Sequence, residues 1–189
     1  MIKIVLSSPE EVTDEFVRLN ALFEAGLSHF HLRKPDFTEK QLEAYLKQVK
    51  PLYLKRVVLH SHHSLIRKYN LKGIHLRTSD RQKLGQQELQ SLVKELRRKG
   101  LTISTSCHSL EEIETLSSRF DYVFLSPIFK SISKMDYPSA FSKEELITFF
   151  KERRSKVPVI ALGGLTPENA VHLADYGFDG AAFLGSIWQ

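Results

Sequence analysis

The 189-residue sequence has a single cysteine, Cys107. No disulfide can form within the chain, and a reducing, cytoplasmic setting is expected. No apolar stretch approaches the length that spans a bilayer, so no membrane partner is expected. The opening Ile2-Lys3-Ile4-Val5-Leu6 is too short for a signal-peptide core with its flanks. No basic run carries interleaved aromatics, which argues against a nucleic-acid partner. No G-x-G-x-x-G follows the first apolar run, which argues against a dinucleotide fold, and no H-E-x-x-H marks a metalloprotease helix. Linkers, internal repeats and low-complexity segments are also missing, so one domain over residues 1–189 is expected.

What is present is ordinary for a globular chain: 42% hydrophobic and 26% charged residues. The formal net charge of +5 fits an anionic ligand, although a solvated surface slightly richer in Lys than Glu accounts for most of that excess.

Apolar runs and amphipathic segments alternate along the whole chain. The expected strands are Ile2–Leu6, His29–Arg33, Arg56–His60, Gly73–Leu76, Thr102–Ser106, Asp121–Leu125, Val157–Leu162 and Gly180–Leu184. Most are short and apolar on both faces, as buried parallel strands are. Helical spacing joins Val12, Phe16, Leu19 and Phe23, then Leu42, Tyr45, Leu46 and Val49, then Leu89, Leu92, Val93 and Leu96. Ser8-Pro9-Glu10-Glu11, Thr38…Gln41, Ser109…Glu112 and Ser142…Glu145 read as capping boxes. Thr166-Pro167 opens another helix, and Gly26 and Gly177 fall where helices end. Short connections between alternating strands and helices imply parallel strands with right-handed crossovers. Eight of them close naturally into an α/β (β/α)8 TIM barrel; an open doubly wound sheet is the alternative. Gln189 follows the eighth strand directly, so the closing C-terminal helix is expected to be absent or truncated.

In such barrels chemistry sits at the carboxyl ends of the strands. Those ends carry His31-Leu32-Arg33-Lys34, His60-Ser61-His62-His63, Arg77 with Asp80, Ser106-Cys107-His108, Gly163-Gly164 and Gly185-Ser186. A loop after strand six adds Ser131, Ser133 and Lys134. The glycine pairs after strands seven and eight permit close backbone approach to a phosphate, whose oxygens backbone N–H groups would hold. Hydroxyls beside a Lys suit a phosphate or pyrophosphate, although Ser-Lys pairs are also common on solvated loops. His60, His62 and His63 invite a metal reading, but alternate side chains at a strand end diverge. His75, inside strand four, is expected to be a packed barrel residue.

These rim residues resemble the thiamin-phosphate synthase superfamily. Asp121-Tyr122-Val123-Phe124-Leu125-Ser126-Pro127-Ile128-Phe129 with Ser131, Ser133 and Lys134 is similar to its signature D-Y-V-x-x-G-P-I-F-x-T-x-T-K. Val157 to Leu165 resembles P-V-V-A-I-G-G-I, and Gly73-Ile74-His75-Leu76 with Asp80 resembles G-V-H-L-G-Q-x-D. Ser104 to Ser109 resembles G-x-S-x-H-S, and Gly180-Ala181-Ala182 resembles G-V-A. The resemblance implies a transferase of thiamin biosynthesis. It joins a hydroxymethylpyrimidine pyrophosphate to a thiazole phosphate and releases pyrophosphate, with Mg²⁺ neutralising the leaving group. It further implies that Arg33 and Lys134 hold the pyrophosphate and that Ser106 contacts the leaving group. Ser131, Ser133, His31 and His60 fall among the substrate-binding residues. Asp80 would bind Mg²⁺, and Gly163, Gly164, Gly185 and Ser186 would cradle the thiazole phosphate. A homo-oligomer is compatible with this reading.

The chain departs from the family pattern at particular positions. His31 replaces a glutamine and Pro35 a lysine, with Lys34 adjacent as a poor substitute. His60-Ser61 stands where the family has N-D, which leaves Asp80 as the lone expected Mg²⁺ carboxylate. A sister branch, the thiazole tautomerases, moves protons on a thiazole carboxylate phosphate without metal. Its catalytic histidine falls at Pro127, so His31, His62 or His108 would have to serve here. The third reading is a non-catalytic barrel that binds a thiazole or thiamin phosphate.

Overall fold

The computed structural model describes residues 1–116, 119–129 and 140–189. Eight parallel strands form a closed barrel in sequence order: β1 (Ile2–Leu6), β2 (His29–Leu32), β3 (Val57–Leu59), β4 (Gly73–Leu76), β5 (Thr102–Cys107), β6 (Tyr122–Leu125), β7 (Val159–Leu162) and β8 (Gly180–Phe183). β8 pairs with β1 through Lys3 opposite Ala181 and Ile4 opposite Ala182, which closes the ring.

The outer layer follows the apolar periodicities. Helix α1 (Glu15–Glu24) buries Leu19 and Phe23, α2 (Glu39–Gln48) buries Leu42, Tyr45 and Leu46, α3 (Thr78–Lys83) buries Arg81, and α4 (Gln86–Arg98) buries Leu89, Val93 and Leu96. Thr38 and Gln41 close a reciprocal capping box on α2, and Ser142 and Glu145 do so on α6 (Lys143–Glu152). Thr166 caps α7 (Pro167–Ala170) with Pro167 in its first turn. Gly26 and Gly177 take the left-handed conformation that ends α1 and α8 (Leu173–Tyr176). After β8 the chain makes only one short helix, α9 (Gly185–Trp188), whose Trp188 indole donates to Leu6 O at 2.7 Å.

Several strands stop one or two residues inside their expected bounds, and the outcome differs from the sequence reading in four further places. Ser8 does not open a helix: its hydroxyl accepts from Glu10 N in a local turn, and α1 starts at Glu15 after a left-handed Asp14. Ser-Pro-Glu-Glu carries a start signal, but the chain there must first leave the barrel rim. Arg56 belongs to a 3₁₀ turn (Pro51–Arg56) rather than to β3. Its guanidinium caps the end of α1 by donating to Phe23 O and Leu27 O. The link from β3 to β4 is a second 3₁₀ turn (His63–Arg67) instead of an α-helix. In α5 (Leu110–Leu116), Glu112 reaches back to His108 N rather than to the Ser109 amide, so the box is open.

Period-two alternation sorts the strand residues into two layers. Val57, Leu59, Ile74, Ile103, Val123, Leu125, Val159 and Ala161 face the helices. The barrel interior is apolar on one side, where Ile4, Leu6, Tyr122, Phe124, Ile160 and Ala182 cluster. On the other side it holds buried His31, His60, His75 and Ser104.

Gly73 marks where strands β4 and β5 approach most closely: a Cβ there would overlap Thr102 O and Oγ1. Gly73→Ala should lower unfolding stability by about 1–3 kcal/mol. Gly100→Ala, whose Cβ would meet open space at φ +70°, should cost about 1 kcal/mol from backbone strain alone. Urea denaturation of both variants checks this; equal losses would show that the strand contact is not restrictive.

Candidate active site

A cavity of about 490 Å³ opens at the carboxyl ends of the strands. One wall is backbone. Gly163 and Gly164 (φ +103° and +63°) lie after β7 in the left-handed region that glycine tolerates. Gly185 lines the cavity after β8. The two loops are tied together, because the Ser186 hydroxyl donates to Leu165 O at 2.8 Å. Asn169 Nδ2 donates to Gly164 O and holds the first loop against α7. Ser186 itself does not line the cavity; its side chain serves as a brace between the two loops.

The opposite wall is cationic. Arg33, Arg77 and His108 line it, and among the described residues no carboxylate does. Ser7, fully buried, fixes Arg33: its hydroxyl accepts from Arg33 N at 2.8 Å and donates to Arg33 O at 2.9 Å. Nothing in the sequence singled out Ser7; only the pairing of the β1 and β2 ends shows its use. Arg81, also buried, donates to Thr105 Oγ1, Ser106 O and Glu112, and so anchors the end of β5. His108 is held by Ser126 O at 3.1 Å. Cys107 is no nucleophile, because burial pushes its thiol up to about 12.

The floor is made of imidazoles. His60 and His75 stack at 4.2 Å between centroids with 17° between planes, and both line the cavity. His75 hydrogen-bonds Ser104 Oγ through Nδ1 (2.9 Å) and Ser106 Oγ through Nε2 (3.0 Å). His31 lies beneath, with Nδ1 2.8 Å from His60 Nε2 and Nε2 2.7 Å from the Tyr122 hydroxyl. Burial, the largest effect, holds His31 and His60 well below the ordinary imidazole value and His75 down to about 3.

Several expected site residues thus come together: Arg33, His60, Ser106, Gly163, Gly164 and Gly185 all line this cavity. Others sit differently. His31 is fully buried and does not reach the cavity surface. Lys34 points away from the cavity, its ammonium bonded to Glu15 and Glu10 O. Asp80 is gripped by Arg77 at 2.7 and 3.0 Å, which holds its carboxyl below the ordinary value. A protein-held Mg²⁺ relies on carboxylates, and among the described residues none lines the cavity while Asp80 is engaged by Arg77: they do not fit a protein-held Mg²⁺. His62 is bonded to Phe37 O away from the cavity. Ser131, Ser133 and Lys134 lie outside the described residues.

Comparisons with known proteins place the chain in a family. Residues 4–187 match the family model of thiamine monophosphate synthase. The chain is 27% identical over 183 residues to the thiamine-phosphate synthase of Enterobacter sp. (strain 638), which covers 94% of this chain and 82% of that protein. It is 28% identical to the thiamine-phosphate synthase of Escherichia coli O157:H7 with the same coverage. A solved thiamine phosphate pyrophosphorylase from Bacteroides thetaiotaomicron superposes with a TM-score of 0.76 at 33% identity, over 100% of this chain and 85% of that one. A second, from Pyrococcus furiosus, shares the fold with a TM-score of 0.74 at 18% identity, over 97% of this chain and 85% of that one.

The buried imidazoles make stability pH-dependent. His75 stays neutral in the folded chain down to about 3, whereas in the unfolded chain it takes up a proton as pH falls through the ordinary 6.5. Its contribution is therefore complete above about 6.5 and is lost as pH falls below that, by about 1.4 kcal/mol per pH unit. His31 and His60 act in the same direction. Denaturant unfolding should give markedly lower stability at pH 5.5 than at pH 7.5, and a flat profile would show that these groups do not resist protonation.

Proposed function

The chain belongs to the thiamine monophosphate synthase family, and from that premise we propose that it joins a hydroxymethylpyrimidine pyrophosphate to a thiazole phosphate. The observation that carries this reading is one cavity with two unlike anion-favouring walls, glycine backbone on one side and arginines on the other. A condensation of two phosphorylated partners needs two such places. Among the described residues, no acceptor takes up the amides of Gly164 and Gly185, so they suit the thiazole phosphate. Arg33, held by Ser7, and Arg77 suit the pyrophosphate. In the step, the thiazole nitrogen lone pair forms the new C–N bond to the pyrimidine methylene carbon. The C–O bond to pyrophosphate breaks, and the electron pair leaves with that group. Arginine charge offsets the growing negative charge, and the Ser106 hydroxyl donates to the leaving oxygens.

A specific observation favours a second reading, proton transfer on a thiazole carboxylate phosphate. The floor beneath the anion walls holds two neutral proton-transfer groups, His60 and the Ser106–His75 pair. Moving a proton needs neither a metal nor a second substrate.

Pyrophosphate release on mixing both substrates tests the first reading. Arg33→Ala should lower kcat/KM about 10–100-fold, the loss of charge-assisted hydrogen bonds. Gly185→Val should raise the KM for the thiazole phosphate about tenfold while keeping the fold, because a Cβ there comes no closer than 3.8 Å to Gln189. Binding of thiamin phosphate by calorimetry without any turnover would replace both readings with a non-catalytic binding barrel.

A further inference from the structure

The two arginines of the cationic wall are held in different ways. Among the described residues the Arg33 guanidinium forms no hydrogen bond or ion pair; only its backbone is fixed, by Ser7. Arg77 donates Nε–H to Asp80 Oδ2 at 2.7 Å and Nη2–H to Asp80 Oδ1 at 3.0 Å. A guanidinium carries five N–H donors in one rigid plane. Asp80 takes two of the five, so three remain, and none of these has a partner among the described residues. Arg77 lines the cavity and Asp80 does not. The carboxylate thus grips one edge of the plane and leaves the other edge for a ligand.

No second carboxylate is at hand among the described residues. Glu112, which bonds the backbone of the cavity-lining His108, gives one oxygen to Arg81 and the other to His108 N. Besides Arg77, the ionisable groups that act on Asp80 are His63 and Lys83, and neither is an acid.

We propose that the Arg77 guanidinium is the cation that bridges Asp80 to a bound pyrophosphate group, so that this site takes pyrophosphate without a divalent metal ion. The inference rests on the two-substrate reading above and adds to it the identity of the bridging charge. A carboxylate and a pyrophosphate repel each other, so they lie side by side only when they share a cation. A divalent ion does this by ligating oxygens of both. A guanidinium does it by donating to the carboxylate from one edge and to the phosphate oxygens from the other. The two arrangements exclude each other here. Both Asp80 oxygens already accept from Arg77, and a doubly charged ion placed there would face the guanidinium. Asp80 is therefore a positioning residue, which sets the plane of Arg77 and faces no ligand itself. The pair is partly exposed and adds little to folding stability, so its consequence lies in binding.

Removing Arg77 opens the other arrangement. One carboxylate together with phosphate oxygens is a donor set that Mg²⁺ uses, and Asp80 without its arginine supplies that carboxylate. The response to metal is then opposite in the two proteins.

Calorimetry with inorganic pyrophosphate, in EDTA and in excess Mg²⁺, tests this. Wild type should bind in EDTA. Mg²⁺ should leave that affinity unchanged or weaken it, because the ion masks the charge that the arginines attract. Arg77→Gln should bind about 10–100-fold more weakly in EDTA, and Mg²⁺ should restore about tenfold. Arg33→Ala should lose affinity in both conditions with no recovery, since no carboxylate is bonded to Arg33. An unchanged urea midpoint shows that the Gln variant is folded, as expected for a half-exposed side chain. A wild type that binds pyrophosphate only with Mg²⁺, or about tenfold more tightly with it, overturns the metal-free site while the two-substrate reading stands. An Arg77→Gln variant that binds like wild type in EDTA, or whose loss is the same with Mg²⁺, overturns the bridging role of Arg77. A wild type that binds no pyrophosphate in either condition removes the two-substrate reading and this inference with it.

Discussion

Everything at the working end of this barrel depends on how its polar interior is satisfied. Closing eight parallel strands sends alternate side chains into a space that water does not fill. Here β2, β3, β4 and β5 send in His31, His60, His75 and Ser104, where a core of aliphatic side chains would be the simpler solution. An unpaired polar group in such a place costs several kcal/mol. The interior escapes that cost by pairing the groups with one another and with Tyr122 and Ser106, and by keeping each imidazole neutral.

That constraint fixes the shape of the cavity above. Because His75 engages Ser104 and Ser106 together, the Ser106 hydroxyl is oriented before any ligand arrives. Phe124 packs against both His31 and His75, so the rings cannot slide toward the apolar side of the barrel. The rim is braced by the same logic at smaller scale. Ser7 locks the Arg33 backbone, Arg81 secures the β5 end, and Ser186 links the two glycine loops. Each brace is a side chain bonded to backbone across two elements, which holds a loop in place without a helix behind it.

Membership of the thiamine monophosphate synthase family sets the frame for these departures. At the positions where the resemblance led the sequence reading to expect a glutamine and an N-D pair, this chain has His31, His60 and Ser61. Asp80 survives, but Arg77 occupies its oxygens. His31 and His60 bond each other, so they act together on the barrel interior. The proposed chemistry therefore leans on arginine, backbone amides and neutral imidazoles.

The order of strands, the barrel and most helix caps were legible in the sequence because they rest on local rules: apolar period, capping spacing and glycine at positive φ. Gly73-Ile74-His75-Leu76 and Thr38…Gln41 carry their structure within a few residues of chain. So do the glycine loops after β7 and β8. The partner of a polar side chain is a different matter, because it comes from another strand at a register that only closure of the ring decides. His31 and His60 are 29 residues apart, and His31 and Tyr122 are 91 apart. Lys34 beside Arg33 looks equally available in sequence, yet the tilt of the chain leaving β2 sends one to the cavity and the other to Glu15. Sequence placed these residues near the ends of strands, while tertiary packing alone decided which face the cavity and which pair out of reach of solvent.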